Sequence, residues 1–516
     1  MEKGKKKFKL VDAILGTVCL TLVCESVMPT AAIGNTQYFW WIFLLIAFCL
    51  PYGMITAELG TAYPSEGGMY DWVKKAFGPK WAGRVAWNYW INFPLWIASL
   101  AVAVTDIIAG MFDIELSIWA LLIIQLIYVW IVTFLGTKRI GESKYIVNLG
   151  TFFKIVLLLG IGLLGIYAVI RTGHSANPIT GVGDLFPSFD LESWSFISII
   201  LFNFMGFEVV GTWAEDMDDP KKDIPKALIF GGLLMAIFYV LPATGFNIAL
   251  SPDVVGNLDP ENVVEVLLAL FTAVGLSTTV IRTIVIIAGL MFIYTFVANI
   301  ASWSFGVNEV AKYAAEDGSM PKIFTKTNKE DVPYMASIIN GIVASIIVIG
   351  GVIANLINED LGASFQLFFC LSWITLLIGY VPMFLAFLKL RKEDTKTKRV
   401  YKVPGSDGMI KVIAIVPFVI LIAGILFTLF GDFTSGYILD SIPLYIGVII
   451  SFACEEILVL RLGVGKNAAL ISMTLAFLAA ILMFIFKDLK VVWMTIVISC
   501  LAVCACSFYF QKKLNK

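Results

Sequence analysis

Unbroken apolar runs of about twenty residues recur along the whole of this 516-residue sequence. Wound as a helix at about 1.5 Å per residue, a run of that length crosses roughly 30 Å of hydrocarbon. Inside hydrocarbon every backbone N–H and C=O must find its partner within the protein, which leaves only helices and closed barrels. Barrel strands alternate lipid-facing and lumen-facing residues over about ten positions, and these runs do not alternate. The sequence therefore predicts an all-α polytopic membrane protein. Composition agrees, with 59% hydrophobic and 15% charged residues against about 45–50% and about 25% in soluble domains. The first run belongs to this architecture and no small-residue cleavage site follows it, so no cleaved signal peptide is expected.

Spans are expected near 12–34, 40–62, 86–111, 117–136, 146–170, 194–214, 227–250, 279–305, 335–356, 365–388, 410–431, 441–460, 468–486 and 491–510. That makes twelve to fourteen helices, depending on how the last four resolve. Basic residues set the orientation. With the N-terminal KGKKKFK inside, Arg171, Arg282, Lys487 and Lys490 fall outside, Lys154 falls within a span, and the remaining Lys and Arg fall inside. Both termini are thus expected in the cytoplasm of a plasma-membrane protein. The longest loops are expected near 171–193, 251–278 and 311–333, with no separate soluble domain.

Two spans are not plainly apolar. Span one reads GTVCLTLVCESVMPTAAIG, with Glu25, Ser26 and Pro29 at mid-membrane depth. Span six reads ILFNFMGFEVVGTWAE, with Asn203, Gly206, Glu208 and Gly211 at similar depth. Polar, Gly- or Pro-interrupted spans at corresponding places in two halves mark inverted-repeat transporters with a midplane site. A helix broken near Gly206 exposes N–H groups from one half and C=O groups from the other, offering partial charge of either sign to a ligand. Glu208 then faces the cavity, meeting an ammonium or taking up a proton. The plainer alternative is a structural glutamate bonded to a neighbouring helix.

Lys154 lies about nine residues inside span five, too deep for its stem to reach the interface. It either pairs with a carboxylate or exchanges protons. Glu25 has two readings, contact with substrate or proton and structural pairing, with Lys154 as one partner. Asn299 and Ser302 of span eight are the nearest candidates to accept hydrogen bonds from Lys154. Phe207 and Trp213, flanking the span-six break, and Trp96 on span three are candidate gate residues, since an ammonium over a ring face gains about 0.5–2 kcal/mol. Ordinary packing or an interface belt is the alternative for Trp96 and Trp213.

Other features carry no chemistry. The eight cysteines sit in apolar runs without a CxxC pair and read as reduced thiols packing as small hydrophobes. No cofactor or metal is expected. There is no phosphate loop, zinc-ligand cluster or Ser/His/Asp arrangement, which argues against ATP-driven transport by this chain alone and against an embedded enzyme. A net charge of −1 offers nothing to nucleic acid. The single histidine, His174, reads as a solvated loop residue, and Glu455 and Glu456 as reaching the interface.

Four motifs in order resemble the amino acid–polyamine–organocation transporter superfamily. They are AELGTAYPSEGGMYDWVKKAFGPKWAGR (57–84), GFEVVGTWAEDMDDPKKDIPKA (206–227), AAEDGSMPKIFTKTNKEDVPYMASIING (314–341) and KRVYKVPG (398–405). GGMYDWVKKAFG and the proline motif ending span one lean toward the glutamate:γ-aminobutyrate antiporter branch. The resemblance implies a five-plus-five inverted-repeat, leucine-transporter-type core. Residues 1–11 would be a cytoplasmic tail. Residues 12–390 would form the transport core, with repeats over about 12–170 and 194–388. Residues 391–516 would supply scaffold spans and a short cytoplasmic tail.

The resemblance also places substrate between broken spans one and six, with spans three, eight and ten around it. It implies that backbone N–H groups of Cys24, Glu25, Ser26, Val27 and Met28 bind a substrate carboxylate, and that Asn203, Gly206, Phe207 and Glu208 line the other side. Lys154 matches a lysine that takes the place of a sodium ion found in sodium-coupled cousins. Span one departs from the family pattern, reading CESVMP where many members have Gly-Ser/Ala-Gly-Ile. Without those glycines a carboxylate approaches less closely, and the added acid favours a substrate with extra positive charge. The expected function is a secondary transporter of an amino acid or related amine, working by exchange or proton coupling. A transporter-like nutrient sensor, the alternative, is expected to carry a soluble extension as well.

Overall fold

The computed structural model describes residues 9–27, 29–65, 67–138, 140–187, 200–206, 219–256, 258, 262–357, 365–430, 444, 447–452 and 454–455. Among them no strand occurs. Nine helical stretches are long and apolar enough to cross a membrane, and two shorter apolar helices accompany them. Of the expected spans, the one at 194–214 is described only at 200–206, the one at 441–460 only in part, and those at 468–486 and 491–510 lie outside the described residues.

Span one is not one helix. α1 (Leu10–Thr21) stops where Leu22 turns extended, at φ −76° and ψ 111°. A 3₁₀ turn follows over Cys24–Val27, then a second 3₁₀ stretch over Pro29–Thr36, kinked at Gly34. Pro29 cannot supply the N–H that a continued α-helix would need there, so the chain beyond the stop does not resume as an α-helix before Gln37. α2 (Gln37–Leu44) runs through a π turn (Leu45–Cys49) into α3 (Leu50–Ala62). Pro51 sits just past that turn, which absorbs the hydrogen bond proline cannot make.

Short α4 (Met69–Phe77) lies between Gly68 (φ 46°) and Gly78 (φ 85°), and α5 (Pro79–Phe112) starts directly after it. Then come α6 (Ile118–Leu135), α7 (Ile140–Thr172) and α8 (Pro220–Ala249). The stretch expected as the loop 251–278 contains two helices, α9 (Pro252–Gly256) and α10 (Val263–Val274). Asn262 caps α10 by accepting from the N–H groups of Val264 and Glu265, an N-cap that satisfies two otherwise unpaired donors. α11 (Thr278–Glu316), α12 (Tyr334–Ile357), α13 (Phe365–Glu393) and α14 (Asp407–Phe430) follow.

Burial separates interior from rim. The apolar windows of α5 and α13 are 72% and 78% buried, those of α6 and α14 only 28% and 33%. α5 and α13 therefore form the centre, and α6 turns Trp119, Ile123, Ile127, Trp130 and Phe134 outward, as a lipid-facing stripe requires. α7 and α8 pack backbone to backbone: a Cβ on Gly165 would stand 2.2 Å from the Gly245 carbonyl oxygen. Small residues of this kind let membrane helices gain contact where no hydrophobic force draws them together.

The sequence motifs on the side where the chain starts fold onto one another. Glu58, 1% exposed, pairs with Arg391 and with Arg399 Nε at 3.0 Å. It also accepts the Val403 N–H at 2.6 Å. The first and fourth motifs thus share one buried carboxylate. Tyr63 donates to Asp394 at 2.7 Å. Between α4 and the end of α11, Tyr70 and Lys74 both reach Asp317, while Tyr313 donates to Asp71. Glu455 departs from the expected interface position. It is 3% exposed, pairs with Arg84 Nε at 3.2 Å and accepts from Asn88 Nδ2 at 2.6 Å, because α5 offers it a cation and a donor in place of water. Glu456 lies outside the described residues.

Candidate functional site

A helix that stops in mid-membrane leaves its last carbonyls without partners, and hydrocarbon offers none. At the end of α1 side chains from three helices supply them. The Cys19 carbonyl accepts from Lys154 Nζ of α7 at 2.5 Å and from Asn299 Nδ2 of α11 at 3.2 Å. The Leu20 carbonyl accepts from Asn299 Nδ2 at 3.2 Å and from Trp303 Nε1 at 3.1 Å. Tyr239 of α8 donates to the Thr21 carbonyl at 2.6 Å and accepts from the Val23 N–H at 2.9 Å. The Leu22 carbonyl takes a second proton from Lys154. An ammonium at a helix C-terminus also meets the negative end of its dipole.

Lys154 is 2% exposed, and its acceptors are backbone carbonyls. Asn299 and Ser302, expected as acceptors, do not fill that role. Asn299 donates to the same carbonyls and accepts from Trp96 Nε1 at 3.2 Å, and Ser302 gives its proton to Ala298 at 3.0 Å. A helix end rich in free carbonyls outcompetes a neutral side chain for a cation.

Across from this end lies the interruption of span six. Residues 200–203 are helical, Phe204 turns, and Met205 and Gly206 are irregular. Gly206 has φ +107°, and a Cβ there would stand 2.4 Å from Leu20 Cδ2 and 3.0 Å from the Trp303 ring. Only glycine fits both that backbone and that space. The two breaks touch, Gly206 lying against the end of α1. Asn203 is fully buried. Trp96, Phe202 and Phe369 form a mutual ring cluster, with centroids 5.0 to 5.4 Å apart, joining spans three, six and ten. On the other flank Trp41 stacks on Tyr239 at 5.0 Å and meets Phe204 edge-on.

The structure brings Cys24, Val27, Asn203, Gly206, Lys154, Asn299, Ser302 and Trp96 into the interior. Glu25 and Ser26 lie on the 3₁₀ turn by their backbone, with side chains outside the described set. Met28, Phe207, Glu208 and Trp213 fall outside the described residues. Among the described residues no cluster of His, Cys, Asp or Glu suits a metal ion.

Two buried, mutually opposed helix breaks in a bundle of spans make a transport architecture, and comparison with known proteins gives the family. A sequence model described as amino acid permease matches residues 8–453. The chain belongs to the amino acid permease family. This permease is 43% identical over 466 residues, 89% of its chain and 96% of the other, to the probable agmatine/putrescine antiporter AguD of Lactococcus lactis subsp. lactis (strain IL1403). It is also similar to two permeases of Lactococcus lactis subsp. cremoris (strain MG1363). One is the lysine-specific permease LysP, 26% identical over 68% of this chain and 66% of that one. The other is the histidine permease HisP, 24% identical over 68% and 74%. The permease is a multi-pass membrane transporter, not an enzyme.

Residue-by-residue reading of the sequence passed over Tyr239, Trp303, Phe202 and Phe369. Each is an aromatic residue in an apolar span, where packing is the default. A signal did exist for Tyr239 and Trp303, because a polar-tipped ring deep in a span needs a buried partner. Which carbonyl it serves depends on tertiary placement.

Proposed function

We propose that this permease exchanges cationic amines across the plasma membrane by alternating access, with substrate bound between the breaks of spans one and six. The observation that carries the reading is the pairing of those breaks, with four successive carbonyls of α1 held by Lys154, Asn299, Trp303 and Tyr239. The acidic residues near the breaks, Glu25 and Glu208, are neutralised by a substrate that brings positive charge. A relative at 43% identity is named an agmatine/putrescine antiporter, which fits an amine better than a zwitterion. In this reading Cys24, Glu25, Ser26, Val27 and Met28 face substrate from span one, and Asn203, Gly206, Phe207 and Glu208 face it from span six. Trp96, Phe207 and Trp213 act as gate residues, and the ring cluster extends that role to Phe202 and Phe369. Lys154, with Asn299 beside it, does what a bound sodium ion would otherwise do, joining span five to span one. Both termini lie in the cytoplasm.

A second reading, proton-coupled uptake of a basic or imidazole-bearing amino acid, is favoured by the similarity to LysP and HisP. One experiment separates them. Purified protein in liposomes is loaded with each of a panel of diamines, guanidino amines and basic amino acids, and counterflow is measured with and without a pH gradient and with and without sodium. Exchange predicts amine uptake only into loaded vesicles, independent of sodium and of the gradient. Uptake of an amino acid into empty vesicles driven by the gradient would replace the first reading by the second.

A further inference from the structure

The carbonyls at the break account for one end of α1; its inner half is held differently. Three side chains spaced one turn apart on α7 reach across to it. Asn148 Nδ2 donates to Asp12 Oδ1 at 3.1 Å. Thr151, fully buried, shares its single hydroxyl proton between the Leu15 carbonyl and the Val147 carbonyl of its own helix, each at 2.9 Å. Lys154 completes the row at the Cys19 and Leu22 carbonyls. The row is unequal. At the break, Lys154 works with Asn299, Trp303 and Tyr239 on consecutive carbonyls. The Thr151 rung joins neutral groups and the Asn148 rung joins an amide to the Asp12 carboxylate, and each engages α1 through one hydrogen bond.

Packing has the same gradient. Beside the break, Cys19 is fully buried against Val147 and Ala298, and a Cβ on Gly150 would stand 2.2 Å from Ala298 Cβ. Toward the inner end of α1, Lys9 and Val11 are exposed and Leu10, Ile14 and Leu15 are half-buried, while Asp12 and Ala13 stay buried on the packed face.

We infer that Asn148 and Thr151 are positioning residues that set how readily the inner half of α1 leaves α7, and so set the permease's bias between its two orientations. α1 pivots at the break, where its carbonyls stay held, and parts from α7 at the two inner rungs. The neutral Thr151 bond is worth about a factor of 2 to 12 in an opening equilibrium, and the charge-assisted Asn148 bond about 12 to 160, so each rung tunes the bias without fixing it. This rests on the alternating-access reading proposed above.

The test uses Thr151→Val, which keeps the shape and removes the hydroxyl, and Thr151→Ser, which keeps the hydroxyl. Leu15→Cys, half-buried on the inner half of α1 at the Thr151 rung, is the reporter in a background with the native cysteines replaced. A maleimide is applied to the inner face of proteoliposomes. Thr151→Val is expected to label about two to twelve times faster than the parent, Thr151→Ser at the parent rate, and counterflow to persist with an altered KM. In the cysteine-intact protein, amide exchange over residues 10–16 is expected to rise in Thr151→Val and in Asn148→Ala, which guards against a reporter background that folds poorly. Equal amide exchange in the parent and both variants, or equal labelling in folded protein, overturns the inference. Failure of the transport reading looks different: no counterflow by the unmodified protein with any substrate.

Discussion

Replacing Tyr239 by Phe tests the account of the broken span most directly. The ring stays stacked on Trp41 and only the hydroxyl is lost. That hydroxyl donates to the Thr21 carbonyl at 2.6 Å and accepts from the Val23 N–H at 2.9 Å. It therefore bridges the last turn of α1 and the first extended residues beyond it. Each bond contributes about 0.5–1.5 kcal/mol net, so the pair is worth about 1–3 kcal/mol. At about 1.4 kcal/mol per decade, the conformation with the break in place is weakened about 5- to 150-fold. The assay is counterflow in liposomes, measuring KM and turnover beside the unmodified protein, with detergent thermostability to show that the variant is folded. A raised KM in folded protein is expected, because the binding backbone is no longer held. KM and turnover both within twofold of the parent would refute the reasoning and leave Tyr239 as packing alone.

Other outcomes follow from the same geometry. Lys154→Ala should insert and fold yet lose most transport, while the unmodified protein transports equally in sodium and choline buffers; sodium-stimulated uptake or an active alanine variant would make the lysine only structural. Gly206→Ala forces a Cβ to 2.4 Å from Leu20 at a φ of +107°, a strain and clash of about 2–5 kcal/mol, and should reduce exchange at least tenfold; near-normal rates would sink the claim that the breaks meet there. Asp394 is held well below the usual carboxylate range by the Thr397 hydroxyl, then by Tyr63 and nearby backbone N–H groups. Since the folded value is the lower one, its contribution is present above the ordinary value of 3.8 and fades as pH falls through the folded value. The 394–403 loop should therefore resist acid-active protease at pH 5 and open only at much lower pH; opening at pH 5 would contradict this.

How much was legible beforehand depended on the physical source of each signal. Span length, polarity breaks and the depth of Lys154 were readable because hydrocarbon penalises polar groups wherever they sit, whatever the tertiary fold. Gly206 was readable because glycine between apolar residues marks a special backbone. Partners were not. That Lys154 binds carbonyls while Asn299 shares them as a donor depends on where α1 stops relative to α7 and α11, which the one-dimensional pattern does not carry. Glu455 misled for the same reason. It stands near the end of an expected span, where water is the default solvent, but Arg84 and Asn88 of a distant span solvate it. The helices within 251–278 were hidden by their length, since twelve residues of α10 cannot span a membrane and read as loop.

The buried carboxylate of Glu58 has a consequence for how the chain is made. Its backbone donor, Val403, lies 345 residues downstream, and Arg391 lies 333 downstream. At about 5–20 residues per second, synthesis takes about 17 to 70 seconds to cover that distance. Throughout that interval the acid lacks the partners that match it in the fold, and water is the solvent that satisfies it. The span can settle to its final depth only after the loop beyond span ten has emerged and brought both arginines to it. Assembly of the inner face is therefore timed by the late part of the chain. A nascent chain halted before Arg391 should leave Glu58 open to a water-soluble carboxyl reagent, and one halted well beyond Val403 should protect it.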